Sequence, residues 1–204
     1  MRLCATLLAI LLAVVIFVMP CWAKQILPTQ DQAAIYSLVL FRLIGPDDTY
    51  NGRLHPKKIY ISEMLFAPAP AKVILSFYDA LEKKPPFPPP PPPPPLPSAE
   101  IFGGGDVSLI PNDVKNLLKK AIRARGLNLS WANTEHSAPI KPVECGNEGG
   151  PLVISFSTLQ EPSQGTTFVQ GRLHCGPLSA TSYYELVKIA GSWQVKRVMN
   201  GPMS

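Results

Sequence analysis

Apolar residues recur at helical spacing in two segments of the chain, residues 31–45 and 112–125. Side chains three and four positions apart share one helical face, so this spacing predicts a helix in each segment. Asp31 is placed to cap the first helix, Asn112 or Asp113 lies at the start of the second, and a glycine ends each segment. The apolar positions are Ile35, Leu38, Val39 and Leu43 in the first segment and Val114, Leu117, Leu118, Ala121 and Ile122 in the second.

Other segments alternate apolar and polar residues, as half-buried strands do. They are residues 58–65, 127–131, 151–157, 167–175 and 182–198. The last of them contains an Ala-Gly-Ser sequence near its middle and predicts two strands joined by a tight turn. Residues 71–84 fit a helix and fit a strand nearly as well, so the pattern leaves both open there.

This order of elements predicts an α+β fold, a small antiparallel β-meander packed by two or three helices. A Pro/Gly-rich stretch at residues 85–105 separates the early elements from the later ones. The part between residues 24 and 84 has little strand content and would form only a marginal core alone. The sequence therefore predicts a single domain over residues 24–204, with the 85–105 stretch as a polyproline loop insertion.

The first 23 residues have the layout of a secretory signal peptide. Arg2 precedes an uncharged run rich in Leu, Ile and Val, and the small residues Cys21 and Ala23 come just before Lys24. This layout predicts cleavage after Ala23 and a secreted or periplasmic protein without stable membrane insertion. Residues 3–23 carry no charge and are long enough to cross a bilayer, so an uncleaved membrane anchor is the alternative.

Cys145 and Cys175 are the cysteines that remain after such a leader is removed. In an exported chain an even pair predicts a disulfide, which over a loop of about 30 residues stabilises the fold by roughly 3–4 kcal/mol. A zinc site that adds His136 and His174 is the weaker interpretation, because no C-x-x-C or H-x-x-x-H spacing is present. We therefore expect neither a metal nor a cofactor.

The formal net charge of +5 is mild and does not indicate a nucleic-acid partner. Lys115, Lys119 and Arg123 recur every four residues along the second predicted helix and give it a basic face. Such a face could bind an acidic headgroup or a polyanion. The plainer interpretation is a solvated helix surface, since no aromatic residue interleaves with these cations.

The segment Lys83–Pro97, with an unbroken run from Pro88 to Pro95, is too rich in proline for a helix or an inner strand and predicts a polyproline II rod. Its interpretation as a spacer competes with its interpretation as a ligand for a proline-reading domain. The string "FPPPP" resembles ligands of the EVH1 domains of actin regulators, and "PPPPPLP" is similar to profilin and SH3 ligands. The candidate partner-binding residues are Phe87, Pro88, Pro89, Pro90, Pro91 and Leu96.

Catalytic motifs such as G-x-S-x-G, the phosphate-binding loop and H-E-x-x-H are absent from the sequence. Asp47 and Asp48 form an acid pair, but they stand in "GPDDTYNG", which is also ordinary turn composition. Trp131 and Trp193 are expected in the core, or else around a cavity for a small apolar ligand. The sequence thus predicts an exported, non-enzymatic binding protein; the alternatives are an exported hydrolase with a site near Asp47 and Asp48, and an adaptor that presents the proline segment.

The stretches "AIYSLVLFRLIGPDDTYNG", "KKIYIS", "IPNDVKNLLKKAI" and "TSYYELVKIAGSWQVKRV" together resemble a group of uncharacterised exported bacterial proteins. That group shares an early helix, a following strand, a second helix and a final hairpin ending in G-x-W-x-V. The resemblance implies an order of elements and export, but no activity. The proline run departs from the pattern of the group, which favours an inserted loop.

Overall fold

The computed structural model describes residues 27–45, 58–83, 108–132, 152–175 and 178–203. Within these ranges the chain forms three helices and nine strands. The helices are α1 (Thr29–Ile44), α2 (Ala71–Lys83) and α3 (Asn112–Arg123). The strands are β1 (Lys58–Ser62), β2 (Met64–Leu65), β3 (Ser108–Leu109), β4 (Asn128–Ala132), β5 (Leu152–Phe156), β6 (Gln160–Ser163), β7 (Thr166–Cys175), β8 (Leu178–Ile189) and β9 (Ser192–Met203).

One mixed sheet carries most of the strands, in the order β4-β1-β5-β7-β8-β9, with β6 also paired to β7. The pairs β4–β1 and β1–β5 are parallel, and the other pairs of this sheet are antiparallel. The α+β class is therefore confirmed, whereas the parallel pairs were not part of the meander prediction. Alternation within a strand indicates its two faces but not its neighbours, so the pattern gave no signal for this pairing.

Helices α1 and α3 cover one face of the sheet and bury the larger core. Val39 and Leu43 of α1 pack over Gly171 in the middle of β7, where the position of an added Cβ would lie 2.8 Å from Leu43 Cδ1. Only glycine leaves room for α1 to approach the sheet this closely. The buried residues contributed by the two helices are Ala33, Ile35, Tyr36, Val39, Leu40 and Leu43 from α1 and Val114, Leu118 and Ile122 from α3.

Helix α2 lies on the opposite face and resolves the ambiguity left over residues 71–84. The amides of Val73 and Ile74 donate to the carbonyl of Pro70, which starts the helix directly after the "APAP" sequence. Its inner side chains form a smaller core against three residues of the sheet. That core consists of Ala69, Ala71, Ile74, Phe168, Tyr183 and Met199.

The strands β8 and β9 form a long hairpin whose turn is Ala190-Gly191. Both turn residues have positive φ, 48° and 82°, as a two-residue type I′ turn requires, and this confirms the predicted turn. Lys188 beside the turn donates to both carboxylate oxygens of Asp31, at 3.0 and 2.8 Å. Asp31 therefore joins α1 to the hairpin and does not cap the helix, whose N-cap position is Pro28.

The predicted signal peptide, residues 1–23, and the predicted insertion, residues 85–105, lie outside the described residues. Among the helices that the structure does describe, none combines the length and the apolar character needed to cross a bilayer.

Candidate functional site

A cleft of about 600 Å³ opens between the start of α1, the β2–β3 ribbon and the link from β5 to β6. Most of its described lining is apolar. The apolar side chains are Leu27, Leu65, Leu109, Pro111 and Leu159, and the ring of Tyr36 lies among them. A concave, mainly apolar surface of this volume is typical of sites for small organic ligands.

The β2–β3 ribbon forms one wall of the cleft because the chain leaves the main sheet after Ser62. The Ser62 hydroxyl accepts a hydrogen bond from the Met64 amide at 3.2 Å, which stabilises a turn centred on Glu63. The Glu63 carbonyl then accepts from the amide of Ile110, a buried residue, at 2.9 Å. These bonds hold Leu109 at the cleft, where its side chain is 64% exposed.

A break between β5 and β6 forms the opposite wall. Both strands pair with the same edge of β7, and Ser157 lies between them. The Ser157 hydroxyl accepts from the Gln170 amide at 2.9 Å, so a side chain replaces the backbone acceptor at the break. The next two residues, Thr158 and Leu159, leave the sheet and line the cleft.

Tyr36 links α1 to this break and forms the floor of the cleft. Its hydroxyl donates to the Ser157 carbonyl at 3.2 Å, and its ring lies 5.1 Å from that of Phe156. Burial raises the pKa of the Tyr36 hydroxyl well above its usual value, because the interior penalises the charged form. Tyr36 is therefore a neutral hydrogen-bond donor with a structural partner, and it is not poised as a base.

The polar side chains of the described lining are Gln32, Ser108, Thr158 and Glu161. Glu161 is the charged member of this set, and it is exposed at the rim. Gln32 donates from Nε2 to the Leu27 carbonyl at 2.6 Å and so holds the start of the described chain against α1. The cleft thus combines an apolar interior with a negative group at its edge.

The predicted basic face of α3 is divided between a paired and an unpaired part. Lys115 Nζ lies 2.6 Å from the Glu63 carboxylate and 5.6 Å from the centre of the Trp131 ring. Lys119 and Arg123 form no ion pair with any described residue. The anion-binding prediction therefore concerns chiefly these two side chains, since Glu63 offsets the charge of Lys115.

A second polar group lies on the α2 face of the sheet, around Arg172. The Arg172 guanidinium stacks 3.8 Å from the centre of the Phe66 ring, and burial lowers its pKa. Burial and the nearby Arg172 charge both lower the pKa of His174, two residues along β7. The pKa of Tyr183 on β8 is raised by burial, an effect that Arg172 partly offsets.

Several predicted site residues lie outside the described residues. These are Asp47, Asp48, Phe87, Pro88, Pro89, Pro90, Pro91, Leu96 and Cys145. Cys175 ends strand β7, but with Cys145 not described the disulfide stays a prediction. In the described ranges, no group of three or more His, Cys, Asp and Glu side chains is arranged to hold a metal ion.

The cleft was not predicted from the sequence, and the tryptophans proposed for a cavity lie elsewhere. Trp193 is buried in the larger core and Trp131 packs at its edge. Leu109 and Leu159 stand in the short segments "SLIP" and "STLQEP", which have no helical or strand period. A leucine in a short segment that lacks either period was the available signal.

Comparisons with known proteins gave no match: no protein-family model fits the sequence, no curated protein is similar to it at a significant level, and no solved structure resembles the fold at that level.

Proposed function

We propose that the protein is an exported, non-enzymatic binding protein that holds a small apolar ligand in the cleft beside α1. The observation that carries this proposal is the apolar lining around a volume of about 600 Å³, with Leu109 left 64% exposed. Exposed leucine is unfavourable in water, and a ligand would cover it.

The charge at the rim selects the class of ligand. Glu161 is the acidic residue of the described lining, so a ligand with a carboxylate or phosphate end would be disfavoured there. An apolar molecule with an uncharged or cationic polar end fits both the interior and the rim. The Glu161 carboxylate is exposed, so we expect it to affect the preference between ligands more than their affinity.

The first test is a fluorescence titration of the full chain with Nile red, a neutral apolar probe. We expect the change Leu109→Asp to weaken probe binding several-fold, because it places a charge in the apolar wall. Ile189→Asp is the matched control, since Ile189 is 52% exposed at the end of β8 and is not among the described residues that line the cleft. Equal binding by both variants, or no binding by the unaltered chain, would refute the proposal.

Competition between charged amphiphiles tests the role of Glu161. Octyltrimethylammonium and octanoate have the same alkyl length and opposite charge. We expect the cation to displace Nile red at the lower concentration, and Glu161→Gln to reduce the difference between the two. A preference for octanoate would contradict the proposed ligand class.

Export and domain organisation belong to the same proposal. The leader pattern of residues 1–23 supports export, and α2 and α3 support one domain, because they flank the 85–105 segment and pack on the two faces of one sheet. Measuring the intact mass of the protein recovered from an exporting host tests export and the Cys145–Cys175 disulfide. A mass that starts at Lys24 and rises by two hydrogens on reduction is expected; a full-length mass with free thiols would refute both.

A further inference from the structure

Helix α2 carries a second apolar stripe beside the residues that form its small core. Val73, Phe77 and Leu81 recur every four residues and therefore lie on one side of the helix. Val73 is 54% exposed and Leu81 is 38% exposed, while Phe77 is half-buried. The polar residues Lys72, Ser76, Asp79 and Lys83 lie on the other flank, so the outer surface of α2 is itself amphipathic.

The direction of α2 shows where the following segment starts. At its start, the Ala71 amide donates to Gln160 Oε1 on β6 at 2.9 Å. At its end, the Tyr78 hydroxyl donates to the Asn200 carbonyl on β9, and Glu82 binds Arg197 of the same strand. Helix α2 thus crosses the sheet from β6 to β9, a distance of about 14 Å across three strand spacings.

The chain must return from the β9 side to the β6 side before it reaches β3. Ser108, where β3 begins, lines the same cleft as Leu159 and Glu161, next to β6. The 13 residues of α2 are roughly 20 Å long at about 1.5 Å each. The ends of the segment between Lys83 and Ser108 therefore lie near β9 and near β6, and a path antiparallel to α2 would join them.

The proline run has the length and the chemistry for this path. Pro88 to Pro95 is an uninterrupted run that, at about 3.1 Å per residue, spans roughly 25 Å as a polyproline II rod. Its rings present an apolar surface along the whole rod and lack amide donors that would need partners. Docking would cover the exposed leucine and valine without burying an unpaired N–H group.

We propose that the outer stripe of α2, Val73, Phe77 and Leu81, is the docking site for this chain's own proline run, Pro88–Pro95 with Leu96. The run then packs antiparallel to α2 and forms a further layer on that face of the sheet. A proline-reading partner would have to displace it from α2 before it could bind. This inference is independent of the ligand proposed for the cleft.

Photo-crosslinking of the full chain tests the docking directly. We expect Leu81→p-benzoylphenylalanine to crosslink to peptides containing residues 88–96. The matched control is Leu117→p-benzoylphenylalanine, because Leu117 is also 38% exposed but lies on α3, at the opposite face. Crosslinks to the run from position 117 as readily as from position 81, or none from position 81, would overturn the inference.

Two further arms identify the occupant. Replacement of Pro88–Pro95 by a glycine-serine sequence of equal length, or the change Val73→Glu, is expected to abolish the crosslink from position 81 while circular dichroism stays unaltered. Persistence of the crosslink in the Val73→Glu variant would contradict docking on the stripe. In a mixture of isotope-labelled and unlabelled protein, crosslinks between chains would assign the site to a second copy and overturn the intramolecular proposal.

Discussion

The two faces of the sheet are stabilised in different ways. On the α1 and α3 face, twenty buried hydrophobic residues among those described form one cluster. On the α2 face the described cluster has six, and the helix is also fastened by Arg197, which bonds Asp79 and Glu82 at 2.6 Å each. The first face depends on apolar burial and the second largely on peripheral polar contacts, so we expect α2 to open locally before the rest of the domain unfolds.

The largest effect should come from truncating equivalent core positions on the two faces. Leu40→Ala on α1 is expected to lower the free energy of unfolding by about 2–5 kcal/mol, because it opens a cavity in the large cluster. Ile74→Ala on α2 is expected to lower the free energy of global unfolding by less. It should selectively accelerate hydrogen exchange of the α2 amides. Both side chains are buried, so the two sites are comparable. An equal loss of unfolding free energy in both variants, with unaltered exchange of the α2 amides, would show that the two faces are stabilised alike. Urea denaturation and exchange measurements provide the two readouts.

Overpacking at Gly171 should have the next largest effect. Gly171→Ala places a Cβ 2.8 Å from Leu43 Cδ1 and 3.2 Å from Val39 Cγ1, so α1 must shift. We expect a loss of about 1–3 kcal/mol in urea denaturation. The double variant Leu43→Ala with Gly171→Ala should lose less than the sum of the single changes, because the truncated residue makes room. If the losses of the two single variants simply add, the contact between residue 171 and Leu43 is not the cause of the destabilisation.

Removal of the Arg197 contacts should be a smaller change. Arg197→Gln is expected to lower stability by less than about 1 kcal/mol, since both carboxylates are exposed and water screens such pairs. The difference from the unaltered protein should shrink in high salt. Exchange of α2 amides should again respond more than global unfolding; an unchanged α2 would show that its apolar contacts suffice to hold it.

The smallest effect should be a change in pH dependence at His174. Its pKa is lowered in the folded state by burial and by Arg172, so between the folded and unfolded pKa values the unfolded chain binds more protons. Its contribution is therefore complete above the unfolded value of about 6.5 and is lost as the pH falls towards the folded value. His174→Gln should flatten the decline of the melting temperature between neutral and mildly acidic pH. If the melting temperature declines equally in both proteins, titratable groups other than His174 cause the decline.

The helices of the better-packed face were also the easier ones to predict from the sequence. The period of Ile35, Val39 and Leu43 predicted α1, because a large core demands a complete apolar stripe, and Val114, Leu118 and Ile122 did the same for α3. Helix α2 stayed ambiguous because its two apolar stripes, one inner and one outer, leave a continuous run such as "VILSFY" without a clear period.

The pairing of strands from distant segments could not be predicted from the sequence pattern. The parallel register of Ile59 with Leu129 and with Leu152 depends on the whole tertiary arrangement and not on any local pattern. The cleft was missed for the same reason, since Tyr36, Leu109 and Leu159 come together from three separate parts of the chain. Among the predicted anion-binding residues, spacing indicated a shared helix face, but only the structure reveals that Glu63 binds Lys115.

The position of α1 has a consequence for biosynthesis. Tyr36 and its hydrogen-bond partner Ser157 are 121 positions apart, and at about 5–20 residues per second a ribosome needs roughly 6–24 s to make the intervening chain. During that time strands β7 and β9, which pack against α1, have not yet been made. We therefore expect the apolar stripe of α1 to stay partly uncovered during synthesis until strands β7 to β9, which follow it in the chain, have been made.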